Sequence, residues 1–388
     1  MKLLRTMPIS RLVLVLSAIA IALVAGTVVV AARGGSGQTP PPEPLANAIH
    51  DGLSAPAPDG VTARITFKNS LFPSGALTGQ AGSALMSGAS GRLWANATGG
   101  RLELQSDAGD AQVTWNDTKV TVYDASSNTA YVADLPQDTS TLPSARTVPS
   151  LDEISSFLTK LGAHWAISAA TPSNVAGQEA YTVTVSPKHD GGLLGSAELA
   201  WDAIHGVPLK LAVYAQGASS PVLALEATDI TFGSVSDSDI SVTPPAGTKI
   251  VDLSSHQGSA TGTDSAPITG LAAVQAAAPF TVVAPDTLVG LPRQDVRLVG
   301  PADSRSVLVV YGEGLGAVLV VERAADASAG STPGGLDSLP SVSLDGITAH
   351  ELSTQLGTIL GWKNGGVSYI LAGSVPTAAA ESAARALR

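Results

Sequence analysis

Reactive side chains are sparse and scattered in this sequence. Its six histidines, His50, His164, His189, His205, His256 and His350, fall in six separate segments. No two stand at HExxH or HxH spacing, so no zinc centre is expected. Cysteine is absent, which removes thiol nucleophiles, iron–sulfur clusters, cysteine-ligated zinc, disulfides and the lipidated cysteine of a bacterial lipoprotein. A Gly-x-Ser-x-Gly elbow and a Ser-x-x-Lys pair are both missing, so serine hydrolase chemistry has no foothold. Residues 312–317 (GEGLGA) have the outline of a dinucleotide loop, but residues 317–321 (AVLVV) read as another strand where that loop needs a helix. A hairpin turn is expected there. Asp237 and Asp239 fit a solvated turn better than a calcium loop, and no cofactor is expected. The chain is read as non-enzymatic.

The apolar side chains carry the sharper expectation. Phe67, Leu71, Phe72, Leu85, Met86, Leu93, Trp94, Trp115, Phe157, Leu158, Leu161 and Trp201 are the candidates to line a ligand cavity, with Tyr123 and Trp165 beside them. For any one of them ordinary core packing is the stronger reading. Leu71-Phe72-Pro73 and Ala84-Leu85-Met86 belong with a Gly/Ser-rich stretch, 74–91, that reads as either a gate over the concave face or a loose hairpin.

The elements that must position these residues follow from periodicity. Residues 45–53 have apolar positions at helical spacing. Residues 61–68 (VTARITFK) then alternate, and 91–97, 100–107, 110–117 and 119–135 continue as a β-meander, with turns at Asn116-Asp117 and Ser126-Ser127-Asn128. The period changes at 150–162, where Leu151, Ile154, Phe157, Leu158 and Leu161 form one helical stripe. Ser150 and Glu153 are spaced as a capping box, and Gly162 stands where a helix stops. This helix is expected to lie on the apolar face of the meander. Strands resume at 165–170, 179–187, 195–203, 207–216, 221–233 and 238–253. Residues 254–278 read as a linker, with a short helix starting near Leu271. A second unit, 279–388, offers strands at 296–300, 305–312, 316–324, 341–354 and 358–373, a long loop at 325–340 and a closing helix at 376–387.

Residues 12–32 are 21 consecutive uncharged residues, enough at about 1.5 Å each to span a bilayer core. Lys2, Arg5 and Arg11 precede them and Arg33 follows. The positive-inside rule places the N-terminus in the cytoplasm and the bulk of the chain outside a cell membrane. The expectation is a cytoplasmic stub and single-pass signal anchor over 1–33, with a cleaved signal peptide as the alternative, and then a Pro/Gly linker at 34–44. Setting aside those four basic residues of the 21 leaves 17 against 32 Asp+Glu, a net charge of −15 outside the anchor. That balance disfavours nucleic acid and anionic lipid heads as partners.

Several segments together resemble one family. Residues 177–187 (GQEAYTVTVSP), Leu199-Ala200-Trp201-Asp202 with Gly206-Val207-Pro208-Leu209-Lys210-Leu211, residues 226–232 (EATDITF) and Val242-Thr243-Pro244-Pro245-Ala246-Gly247 follow the order of the LolA-like superfamily of lipoprotein carriers and sigma-E (RseB-like) regulators. The resemblance covers about residues 45–253. It implies an antiparallel half-open β-barrel with a helical lid, holding acyl chains or other apolar ligands. Residues 360–373 are similar to the small α+β domain that follows in the regulators. The expected fold is therefore α+β, with a LolA-like half-barrel at 45–253 and a smaller α+β domain at 279–388. Two functions follow from the resemblance. One is a tethered extracytoplasmic binder of a lipid, acyl chain or other apolar ligand. The other is a regulatory sensor that contacts a membrane protein such as an anti-sigma factor.

Overall fold

The structure is a computed structural model that describes residues 38–56, 58–71, 84–135, 148–189, 191–253, 268–300, 305–325, 336 and 339–387. The expected anchor, the first part of the linker after it, Phe72 and the side chain of Met86 lie outside the described residues. So do 254–267 and most of the loop expected at 325–340.

Alternating residues build the first sheet. Strands β1 (Gly60–Asn69), β2 (Ala89–Asn96), β3 (Gly99–Ser106), β4 (Gly109–Asn116), β5 (Lys119–Asp124) and β6 (Thr129–Asp134) form the meander. Strands β7 (Trp165–Ile167), β8 (Thr171–Val175), β9 (Gln178–Pro187), β10 (Leu194–Asp202), β11 (Pro208–Ala215) and β12 (Leu223–Phe232) follow, and β13 (Lys249–Asp252) closes the unit. The thirteen strands bond in the order β13-β6-β5-β4-β3-β2-β1-β12-β11-β10-β9-β7, with β8 also on β9. All neighbours are antiparallel except β13, which runs parallel to β6. The path begins at β13 and ends at β7, which do not bond to each other, so the sheet is open.

Register places Ala63, Leu93, Leu102, Val113 and Val122 in one row across the meander. The next row contains Ile65, Gly91, Leu104 and Ala111. Because side chains alternate between faces, both rows lie on the same apolar face. Covering that face is a one-turn helix, α2 (Ala84–Ser87), which rests on β1, β3 and β4. Ala84 is fully buried there, Leu85 packs beside it, and Asn69 Nδ2 donates to Leu85 O at 2.7 Å to hold the turn down. Further along the same face Trp115 lies over Gly100, where an added Cβ would fall 2.0 Å from its ring.

The helix expected on this face lies elsewhere. Helix α3 (Leu151–Leu161) packs against α1 (Leu45–Ser54), and α1 covers β9 and β10 through Leu45, Ala48 and Ile49 on Tyr181, Val183 and Trp201. Since Ala84, Leu85 and Trp115 already cover the meander, the stripe of α3 is satisfied by α1, and only in part. Ile154 is buried, but Leu151 is 42% and Phe157 62% exposed.

The second sheet has eight strands: β14 (Thr287–Leu288), β15 (Leu291–Val299), β16 (Ser306–Tyr311), β17 (Val318–Ala324), β18 (Ser341–Leu344), β19 (Ile347–Thr354), β20 (Gly357–Asn364) and β21 (Val367–Gly373). Their order is β14-β15-β16-β17-β21-β20-β19-β18. Asp345-Gly346 and Gly365-Gly366, all at positive φ, turn the two hairpins at its C-terminal end. The closing helix α6 (Thr377–Ala386) packs on β20 and β21. Helix α5 (Leu271–Ala277) lies on β15, so Ile268, Leu271 and Val274, from the stretch expected to be linker, pack in the second core. Between the units, Ser374 Oγ accepts from Leu193 N at 2.9 Å and Gln355 Nε2 donates to Ser70 O at 2.8 Å. The molecule is α+β with strands predominating.

Candidate functional site

Local chemistry fixes α3. Ser150 Oγ accepts from Glu153 N at 3.3 Å, and Glu153 Oε2 accepts from Ser150 N at 2.8 Å, which is the reciprocal box its spacing predicts. The Ser150 N–H, together with the Ser150 hydroxyl that donates to the same Oε2 at 2.9 Å, holds the exposed Glu153 carboxyl below its ordinary pKa. At the other end the Lys188 ammonium donates to Gly162 O, placing a cation where the helix dipole is negative. Gly162 itself stays right-handed, at φ −62°, and its N–H bonds Leu158 O at 2.8 Å. Helix α1 is tied in by His50 Nδ1, 3.0 Å from Pro149 O. The chain entering α1 is held by Tyr181, whose OH donates to Pro41 O at 2.7 Å. Burial, with Glu43 beside it, pushes that phenol up to about 12.

Between the start of α1, the end of α3 and strand β7 lies an open groove of about 540 Å³. Leu45, Leu158, Trp165, Ala166 and Ile167 supply its apolar walls, and Thr159, Gly162 and Lys188 its polar rim. The volume falls within the range of roughly 300–1,000 Å³ typical of small-ligand sites. Phe157, one residue from the wall, remains largely in solvent. The groove can therefore accept apolar surface and offers one cation at its edge.

The residues expected to share a cavity are distributed over the unit. Phe67, Leu85 and Leu93 pack on the meander with Ala84, while Trp115 is buried with Ala95, Val113 and Val120. Leu71 lies two residues beyond β1, its N–H donating to Asn69 Oδ1 at 2.9 Å. Trp94 points to the opposite face, where the Arg101 guanidinium sits 5.0 Å from its ring. Trp201 is sealed beneath α1, 6.1 Å from the ring of Tyr181. Leu161 and Phe157 stay on α3, and Leu158 with Trp165 reach the groove. Leu45, Ile167 and Lys188 line it without having been singled out by sequence.

Other polar clusters are structural. Asp202 Oδ1 accepts from Ile204 N, His205 N and His205 Nδ1 at 3.1, 2.5 and 2.8 Å, fixing the β10–β11 turn. Asp237 Oδ1 accepts from Asn96 Nδ2 and Thr98 Oγ1, both at 2.9 Å, and so clamps the β2–β3 turn. These bonds hold the Asp237 carboxyl below its ordinary pKa. Among the described residues no group of three or more His, Asp or Glu could hold a metal ion.

No protein-family profile matches the sequence, and no curated protein matches it. Solved structures similar in part include MucB in complex with MucA(peri), at 15% identity and a TM-score of 0.39 over 89% of this chain and 96% of that one. The MucA/MucB complex of Pseudomonas aeruginosa gives 16% identity and a TM-score of 0.39 over 88% and 94%. A LolA superfamily protein from Nitrosomonas europaea gives 7% and 0.22 over 52% and 98%. The solved structures to which this chain shows partial likeness thus include MucB and a LolA superfamily protein, at identities and scores that assign no family.

Proposed function

We propose that the chain is a non-enzymatic extracytoplasmic binding protein, tethered by residues 12–32, that takes a lipid acyl chain or a comparably apolar moiety in the groove between α1, α3 and β7. The observation that carries this reading is the groove itself: about 540 Å³, walled by Leu45, Leu158, Trp165 and Ile167, with Phe157 exposed at its lip. A half-barrel of the LolA-like type, with α1 and α3 as its helical cover, is the architecture we assign to the first unit. Each methylene transferred from water into such a site contributes about 0.8 kcal/mol, so a short acyl segment suffices for measurable affinity. Function by binding agrees with a site whose walls are largely apolar.

The test is a photoreactive fatty acid added to the full chain in zwitterionic nanodiscs, with the labelled residues mapped by mass spectrometry. Labelling at α3 and β7, reduced in a Phe157→Ser and Leu158→Ser double variant, is expected. Labelling spread evenly over the surface would sink the reading.

A further inference from the structure

Strand β7 is the terminal strand of the thirteen-stranded sheet, and its outer edge faces the groove. Its pairing with β9 fixes which backbone groups point outward. Register sets Trp165 opposite Pro187, Ala166 opposite Ser186 and Ile167 opposite Val185. Lys188 N donates to His164 O at 3.0 Å and Ser168 N to Thr184 O at 2.9 Å, so the even residues carry the bonds to β9. In an antiparallel ladder the alternate residues then turn their N–H and C=O away from the partner. Trp165 and Ile167 therefore present backbone donors and acceptors along the groove, and no strand pairs with them there among the described residues. An unpaired edge of this kind is a template for another strand.

Two lysines beside that edge oppose the acidic balance of the chain. The chain has a formal net charge of −11, yet Lys160, His164, Lys188 and His189 are all exposed at the end of α3 and the flanks of β7–β9. Lys119, Lys210, Arg101, Arg293, Arg297 and Arg385 each face a carboxylate, whereas Arg64, Lys68, Arg92, Lys249 and Arg323 do not among the described residues. Lys160 and Lys188 have no carboxylate partner among the described residues. Asp190 is the acid that follows in sequence, while Asp152 and Glu153 sit at the far end of α3.

We propose that β7 accepts an extended acidic polypeptide as an additional strand, its alternate apolar side chains entering the groove and its carboxylates meeting Lys160 and Lys188. This rests on the groove being the binding site and names the chemistry of the ligand: main-chain pairing for affinity, apolar side chains at every second residue, and negative charge for selection. A free acyl chain would use the same walls but leave the backbone of Trp165 and Ile167 unpaired.

The experiment uses the full chain in zwitterionic nanodiscs, 15N-labelled at tryptophan and isoleucine, titrated with a short capped peptide alternating valine with glutamate. Controls are its lysine counterpart and a form N-methylated at every residue, which cannot donate from either edge. The acidic peptide is expected to bind about tenfold tighter than the lysine peptide at low ionic strength, a margin that shrinks in salt. Binding should slow hydrogen exchange at the Trp165 and Ile167 amides, and N-methylation should abolish it. Equal binding of all three peptides, or binding without protection of those two amides, would overturn strand addition. If no peptide binds while the photoreactive fatty acid still labels the groove, this inference fails and the apolar reading stands. If neither engages the groove, both fail.

Discussion

Replacing Glu322 with glutamine should remove a large part of the pH dependence of the second unit's stability between about pH 4.5 and 8. Glu322 is fully buried on β17, opposite Tyr369 of β21, within the core that also holds Tyr311 and Trp362. Its Oε2 accepts from Val283 N at 3.0 Å, while its Oε1 has no hydrogen-bond partner among the described residues. Burial raises its pKa from 4.5 to about 7, and the Val283 bond offsets only part of that rise. A carboxyl with a raised folded pKa holds its proton more tightly folded than unfolded. Its favourable contribution is therefore complete below about pH 4.5 and lost as pH climbs toward 7. At about 1.4 kcal/mol per unit, the full swing is about 3 kcal/mol. Glutamine keeps an acceptor for Val283 N–H and never ionises. Urea denaturation of the two proteins, followed by circular dichroism, should give nearly equal stability at pH 4.5. At pH 8 the variant should be ahead by up to about 3 kcal/mol. A difference that stays constant across that range would refute the claim that Glu322 is a buried acid with a raised pKa.

Three further outcomes follow from the packing. Gly100→Ala puts a Cβ 2.0 Å from the Trp115 ring and should lower stability by about 1–3 kcal/mol, read as a fall in urea midpoint with quenched native tryptophan emission. Ser150→Ala removes one half of the capping box and should cost about 1 kcal/mol of local stability in α3, measurable as faster hydrogen exchange confined to 151–161. Phe157→Ser, at a site 62% exposed, should leave the midpoint within about 0.5 kcal/mol while weakening fatty-acid labelling; a large loss of stability would show that Phe157 is core.

Much of this architecture is legible in local pattern. The meander appears wherever apolar and polar residues alternate, as at Val61, Ala63, Ile65 and Phe67, and the start of α3 follows from Ser150 and Glu153. Elements without such a signal were silent. Strand β8 (TPSNV) contains Pro172 and Asn174 and does not alternate; it forms because Ala176 and Gly177, at φ 55° and 80°, reverse the chain directly into β9. Helix α2 hides in a Gly/Ser-rich stretch. Helix α4 (Asp237–Ile240) lies at the start of a segment read as strand. The site was less legible than the fold. Spacing shows that α3 has an apolar stripe, but which surface receives it depends on Ala84, Leu85 and α1, remote in sequence. The aromatics Trp115 and Trp201 serve packing for the same reason, since Gly100 and α1 each provide a matching hollow. Lys188 and Ile167 joined the groove through the β7–β9 register, which no local pattern specifies.

Methyl-resolved NMR of the full chain in zwitterionic nanodiscs, titrated with a medium-chain fatty acid, addresses the location of binding directly. If apolar ligands enter between α1, α3 and β7, the methyl signals of Leu45, Leu158 and Ile167 shift with saturation while those of Ile65 and Leu104, on the meander face beneath Ala84, stay fixed. Shifts at Ile65 and Leu104 with none at Leu158 and Ile167 would place the site on the inner sheet face and contradict the account.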